Sequence, residues 1–307
     1  MSIYLPVAEI PVNVIVIMGL GGIIGFLSGV FGVGGGFLLT PILILMGVPP
    51  AVAVASGTNQ LVGASVSGTL AHLRRGTVDI RMGLVLLIGG LAGSGVGVVL
   101  FGFLKRIGQV EFVVAVAFVI LLGSMGVLML IESLLALVKK KRYSDAPRRK
   151  LHKHSWIHGL PWKMRFRKSR LYISAFMPLG LGFLIGVLVA ILGVGGGFIL
   201  VPAMIYLLGM PSSVVVGTSL FQIIFVTANA TVLQAVLNHT VDAPLAVLLL
   251  VGGVIGAQFG SRAGARLKGE QMRGLLALMI LAVCVKLAID LTTAPADPFT
   301  VTVLAGG

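Results

Sequence analysis

Charge is scarce in this sequence. Only 10% of its 307 residues are Asp, Glu, Lys or Arg, against roughly 25% in an average soluble domain. A chain that is 57% hydrophobic, with a mean hydropathy of +1.10, carries more apolar side chain than a water-soluble fold of this length can hide. Soluble enzymes and secreted scaffolds are excluded. Cysteine is scarcer still: Cys284 stands alone, which removes a disulfide framework and any thiol cluster for a metal. Acids number nine, and none falls near the middle of an apolar run, so a relay of intramembrane carboxylates has no evident members. Glu132 and Asp290 lie toward the ends of their runs, and Lys286, four residues before Asp290, is read as pairing with it or snorkelling. The N-terminus lacks a basic n-region and carries Glu9 before its first apolar run, which argues for a retained first segment rather than a cleaved signal peptide.

What is present is a series of apolar runs, at 13–31, 37–46, 51–73, 82–104 and 111–138, then 171–192, 198–208, 213–237, 244–265 and 271–292. A helix needs about 20 such residues to cross hydrocarbon, so the expectation is an all-α polytopic membrane protein. The net charge of +14 is localised: thirteen of the 23 basic residues lie between Lys139 and Arg170, with Asp145 the one acid among them. This segment reads as a topology signal and as an attraction for anionic lipid headgroups; a nucleic-acid partner is not expected. His152, His154 and His158 sit among those cations with no nearby carboxylate but Asp145, so they are read as a solvated loop rather than a metal site.

The two sets of runs are copies. Gly32-Val33-Gly34-Gly35-Gly36-Phe37 through Pro41 recurs as Gly193-Val194-Gly195-Gly196-Gly197-Phe198 through Pro202, 161 positions later. Gly21 and Gly25 match Gly182 and Gly186, Gly57-Thr58 matches Gly217-Thr218, Thr77-Val78-Asp79 matches Thr240-Val241-Asp242, and Gly89-Gly90 matches Gly252-Gly253. Such ordered matches indicate an internal duplication. If each Gly-rich run were a kink within one span, sixteen loop cations would lie with the basic segment and six opposite. If each is the tip of a helical hairpin, the count becomes twenty against two. The positive-inside rule selects the hairpins, which makes each half an odd number of passes and the halves inverted repeats, each a Gly-broken hairpin followed by three transmembrane helices.

The glycine runs are the first candidate site. Four glycines in five positions unwind a helix, each costing it about 1 kcal/mol relative to alanine. The helix that restarts after each run presents free N–H groups and a positive dipole end, a natural place for a small oxyanion. Close helix packing is the plainer explanation of a glycine, and it suits the spaced Gly89, Gly93 and Gly97 better than these consecutive runs. Substrate-binding candidates are therefore Gly32, Val33, Gly34, Gly35 and Gly36 with Gly193, Val194, Gly195, Gly196 and Gly197. Thr58, Asn59 and Gln60, and their counterparts Thr218, Ser219 and Gln222, add neutral donors to the expected site, unless they serve only as interhelical hydrogen bonds. A nucleotide loop is excluded, because Phe37 and Phe198 stand where Gly-Lys-Ser/Thr is needed. Gly63-Ala64-Ser65 offers a serine with no in-span histidine as base, so no catalytic residue, metal or cofactor is expected.

These duplicated Gly-Val-Gly-Gly-Gly-Phe segments, with Gly57-Thr58, Gly217-Thr218 and the two Thr-Val-Asp turns, resemble the sulfite exporter TauE/SafE family of membrane permeases. The resemblance implies export or uptake of a small sulfur oxyanion or sulfonate across the cell inner membrane. It covers the first repeat (1–138) and the second (171–292), leaving a basic cytoplasmic loop (139–170) and a C-terminal tail (293–307). The alternative is a membrane-anchored enzyme or sensor that works through the basic loop.

Overall fold

A computed structural model describes residues 2–31, 35–140, 162–166, 168–264 and 269–292. Apart from turns, the described residues are helical except for two short β-hairpins. The first hairpin, β1 (Ser2–Leu5) and β2 (Ile10–Asn13), leads into α1 (Val14–Phe31), α2 (Gly36–Leu45), α3 (Pro50–Arg74), α4 (Ile80–Arg106) and α5 (Val110–Lys140). The second, β3 (Lys163–Phe166) and β4 (Leu171–Ser174), leads into α6 (Phe176–Leu192), α7 (Gly197–Tyr206), α8 (Ser212–Leu233), α9 (Ala243–Gly264) and α10 (Gly269–Thr292). Among the described residues, four helical stretches are long and apolar enough to cross a membrane: 80–106, 110–131, 213–238 and 243–260. α3 is long enough but carries Ser56, Thr58, Asn59, Gln60 and Ser65 in its middle. It packs against both α8 and α9, so that polar face meets protein rather than lipid.

Two differences from the sequence expectation concern 163–174. The apolar run 171–192 is not one span: 171–174 is a strand and α6 begins at Phe176. Residues 163–166, assigned to the basic loop, pair with it, Arg165 opposite Tyr172 and Phe166 opposite Leu171. Alternation explains both, since Phe166 and Ile173 are buried while Arg165 and Tyr172 are exposed, the period-2 pattern of a strand. The two hairpins stand at the same 161-residue offset as the glycine runs, so the duplication extends back to Ser2.

Helix pairing is reciprocal between the halves. α1 packs on α9 and α4 on α6, α3 packs on α8 and α5 on α10. The α1–α9 and α4–α6 seams are glycine-built: Gly21 and Gly25 lie against the backbone at Leu249 and Gly253, while Gly182 and Gly186 lie against Leu86, Gly90 and Ser94. With no Cβ, these backbones approach closely enough for dispersion and Cα–H···O contacts to hold them. Contacts climb together along both seams, so α1 runs with α9 and α6 runs with α4. Gly83 against Phe221 and Gly90 against Val226 align α4 with α8. Thr231 donates to Thr58 at 3.1 Å, whereas Gly68 lies against Leu220, so α3 and α8 are antiparallel. Each helix of the first half among α1, α3 and α4 thus runs opposite to its counterpart.

A buried carboxylate ties each hairpin to the bundle. Asp79 caps α4, Oδ1 accepting from the Met82 N–H at 3.2 Å, and its Oδ2 accepts from the N–H and hydroxyl of Ser169 at 2.9 and 2.7 Å. Asp242 caps α9 through the Leu245 N–H at 3.2 Å, and its Oδ2 accepts from the Val7 N–H at 2.9 Å. Neither carboxylate has a cation at hand among these partners; hydrogen bonds at a helix N-terminus stabilise the charge instead. Both Asp residues sit in the duplicated Thr-Val-Asp turns.

Candidate functional site

The two glycine tips meet in the middle of the bundle. Phe37 and Phe198, identical positions of the two copies, stack with ring centroids 4.4 Å apart and planes 15° from parallel. Both rings are buried. A Cβ on Gly36 would stand 2.6 Å from Leu61 Cδ1, 2.7 Å from the Gly193 carbonyl oxygen and 2.9 Å from that of Val194, so the first tip reaches the second through a glycine. α2 is antiparallel to α3, with Gly36 beside Leu61 and Gly57 beside Leu39 and Thr40, which returns the chain to the face it came from. In the second tip Gly193, Gly195 and Gly196 have φ of +67, +75 and +73°, left-handed backbone that side chains resist. Gly32, Val33 and Gly34 lie outside the described residues.

Restarting the chain as α2 and α7 leaves amide N–H groups at the first turns without intrahelical acceptors. Pro41 and Pro202 sit inside α2 and α7, and each withholds the N–H that would bond the carbonyl four residues earlier. Those carbonyls belong to Phe37 and Phe198. The tips therefore combine open donors and open acceptors around a stacked aromatic pair. The side chains pressed against the glycines are Ile24, Ser28, Thr40, Leu61, Ile185 and Val189. None is charged.

The neutral polar residues divide between this centre and the joints around it. Thr58 donates to the Ala55 carbonyl at 2.7 Å and accepts from Thr231. Thr218 accepts from the Asp79 N–H at 3.0 Å and Ser56 from the Asp242 N–H at 2.9 Å, each hydroxyl steadying the start of a helix of the other half. Ser219 bonds its own helix at the Val216 carbonyl, 2.9 Å away. Asn59 is half-buried. Gln60 lies against Gly253 and Gln222 against Gly90, matched glycines on matched helices. Gln60 Nε2 donates to the Gly21 carbonyl at 2.9 Å, but its Oε1 and both polar atoms of Gln222 are buried without a partner. The hydroxyls of Thr40, Ser65 and Thr69 share that condition.

Buried polar atoms without partners are rare, because each costs about 1–3 kcal/mol, and they mark places where water or a ligand belongs. Leu61, Ser65 and Thr69 are four residues apart and so share one face of α3. That face carries unpartnered hydroxyls from the tip contact toward Arg74. Thr40 and Thr69 were not singled out in the sequence, and Ser65 was weighed only as a nucleophile without a base; the signal that could have found Ser65 and Thr69 as lining residues is their spacing of four below Leu61 on a helix already suspected of lining the site.

A family model described as sulfite exporter TauE/SafE matches residues 17–287. The chain belongs to this family. It is similar to a protein named "Probable membrane transporter protein YunE" from Bacillus subtilis, with 26% identity over 290 residues that span 90% of this chain and 96% of the relative. A second Bacillus subtilis protein, "Probable membrane transporter protein YjnA", is 26% identical and covers 89% of this chain and 98% of itself. A "Probable membrane transporter protein" from Xylella fastidiosa is 27% identical over 281 residues, 89% of this chain and 94% of its own. No solved structure matches. Membership in TauE/SafE, a family of membrane transport proteins, fits the apolar helices and makes this a multi-pass membrane protein. The matched region of the family runs from α1 into α10 and takes in both tips, the seams and both Asp-capped turns.

Proposed function

We propose that this TauE/SafE protein is an inner-membrane transporter of a small sulfur-containing anion such as sulfite or a short organosulfonate. The anion binds between the two glycine tips and is released alternately to either face as one repeat moves against the other. The observation that carries this is the meeting of duplicated tips, Phe37 on Phe198 and Gly36 on Gly193, beside buried polar atoms without partners. Opposite running of counterpart helices supports inverted repeats, the architecture that makes such a central site accessible from either side. By the positive-inside rule, the cations of the basic loop 139–170 support a cytoplasmic location for it.

The uncharged surroundings of the tips limit what the site accepts. Electrostatic solvation scales with the square of the charge, so a dianion loses about four times as much as a monoanion on leaving water, and no cation lies against the tip glycines among the described residues to offset it. The protein should therefore move sulfonates and hydrogensulfite and reject sulfate. In proteoliposomes the initial rate of sulfite uptake, at fixed total sulfite, is expected to fall as pH rises and hydrogensulfite gives way to the dianion, while uptake of a sulfonate stays level over the same range. Sulfate transport at a comparable rate, or sulfite uptake that climbs with pH, would contradict the monoanion site.

A further inference from the structure

The two β-hairpins are structural copies with opposite electrical character. Glu9 and Arg170 occupy the same turn position, 161 residues apart, and share the same left-handed backbone, with φ of +56 and +53°. Tyr4 is answered by Arg165 and Val7 by Lys168. Because α1 and α6 run in opposite directions, their hairpins lie on opposite faces of the bundle. Following the helices out, the β1–β2 face exposes Lys105, Arg106 and Lys286 alongside Glu9, Glu111 and Asp290. The β3–β4 face exposes Arg74, Arg75, Arg81, Lys168 and Arg262 with Arg165 and Arg170, while the acids placed toward it are the buried Asp79 and, by position in their helices, Glu132 of α5 and Glu270 of α10.

On that second face the hairpin borders a cavity of about 690 Å3 whose lining among the described residues is Arg165, Phe166, Arg170, Leu171 and Tyr172. Topology accounts for a surplus of cations on one face, but not for two arginines and a tyrosine lining one cavity. Guanidinium groups bind oxyanions with paired, directional hydrogen bonds. A cavity walled by low-dielectric side chains and lined by one sign of charge concentrates counter-ions at its mouth. Among the described residues the tips have no cation against them, and they bind their anion only after desolvating it, so a site that first collects the anion from dilute solution supplies what the centre lacks.

We propose that the Arg165–Arg170–Tyr172 pocket is a capture site for the oxyanion group of the transported anion, which loads the transporter from the β3–β4 face and has no equivalent at the β1–β2 face. What the captured anion is for rests on the transport function proposed above; the binding itself does not. The probe is labelled 2-hydroxyethanesulfonate. With the full-length Arg165→Gln/Arg170→Gln protein in oriented proteoliposomes, KM for loading from the β3–β4 face should rise about tenfold, roughly the effect of losing one charge-assisted contact. The maximal rate and the KM from the other face should stay within twofold of wild type. The wild-type advantage should shrink at high ionic strength, and Glu9→Gln should leave loading from the β3–β4 face unchanged.

Anionic lipid headgroups share this chemistry, so the assay is run in vesicles of phosphatidylcholine alone and with phosphatidylglycerol. A KM difference present in both supports capture; one that exists only with phosphatidylglycerol assigns the pocket to lipid and overturns the proposal. Equal KM values on both faces overturn it as well. Calorimetric titration of the detergent-solubilised full-length protein reads the pocket without flux: wild type should show a sulfonate-binding event that the double variant loses. A wild-type protein that binds but moves no anion would refute transport and leave the pocket standing. Binding unchanged in the double variant would refute the pocket whatever the flux.

Discussion

Gly36→Ala is expected to slow anion flux by about 10- to 100-fold while the protein stays folded and monodisperse. The added methyl meets Leu61 Cδ1 at 2.6 Å and the Gly193 carbonyl oxygen at 2.7 Å, so the tips must separate or the backbone of the second tip must retreat. Overpacking of this kind costs about 1–3 kcal/mol, and 1.4 kcal/mol is tenfold in an equilibrium or rate. The strain falls at the contact between the two repeats rather than within either one, which is why transport rather than folding should register it. Gly180→Ala in α6 is the matched control, since nothing lies within 4 Å of its added methyl. Initial rates on purified variants of equal melting temperature make the comparison. A Gly36→Ala protein as active as the control would remove the tips from the transport path.

The seam glycines should behave in the opposite way. Gly93→Leu in α4 and Gly256→Leu in α9 are expected to abolish folded protein, with the monodisperse yield falling to about a tenth or less, because even a Cβ at these positions runs into the backbone of Phe183 or of Gly22 and Phe26. A leucine forces the paired helices apart and forfeits the close-approach packing that holds helices in a membrane, where no hydrophobic force draws them together. Size-exclusion profiles of tagged protein in detergent measure this. The two glycine classes are thereby separable: strain at the tips should cost flux, and strain at the seams should cost the fold.

Much of this architecture was legible because glycine, proline and charge are strong signals in a chain with little else. The run 82–104 became α4 at 80–106 and 213–237 became α8 with its π-helical end at 234–238. Gly89, Gly93 and Gly97, assigned to close packing, line the α4–α6 seam, whereas Gly35, Gly36 and Gly193 to Gly197 form the tips. The β-hairpins were not foreseen. Residues 2–13 are short and mixed in character, and the cations of 163–170 outweighed an alternation that only strand pairing reveals. Nor could the sequence separate Thr58, which reaches Thr231 in the opposite half, from Thr218, whose hydroxyl is held by Asp79. Both stand in the same Gly-Thr motif, and only the offset between α3 and α8 decides what each one meets. The carboxylates of Asp79 and Asp242 were recognised as markers of duplication, but their role as ties to the hairpins depends on partners 90 and 235 positions away.

Joining the tips tests the account most directly. In a Cys284→Ala background, Phe37→Cys and Phe198→Cys put one thiol on each tip at the positions whose rings now stack 4.4 Å apart, and the disulfide formed on oxidation is quantified before flux is read. Flux of labelled sulfonate is then compared in one proteoliposome preparation before oxidation, after oxidation and after re-reduction. Alternating access between the tips predicts that the oxidised protein carries nothing and that reductant restores the starting rate. An oxidised, fully cross-linked protein that transports as fast as the reduced one would contradict it.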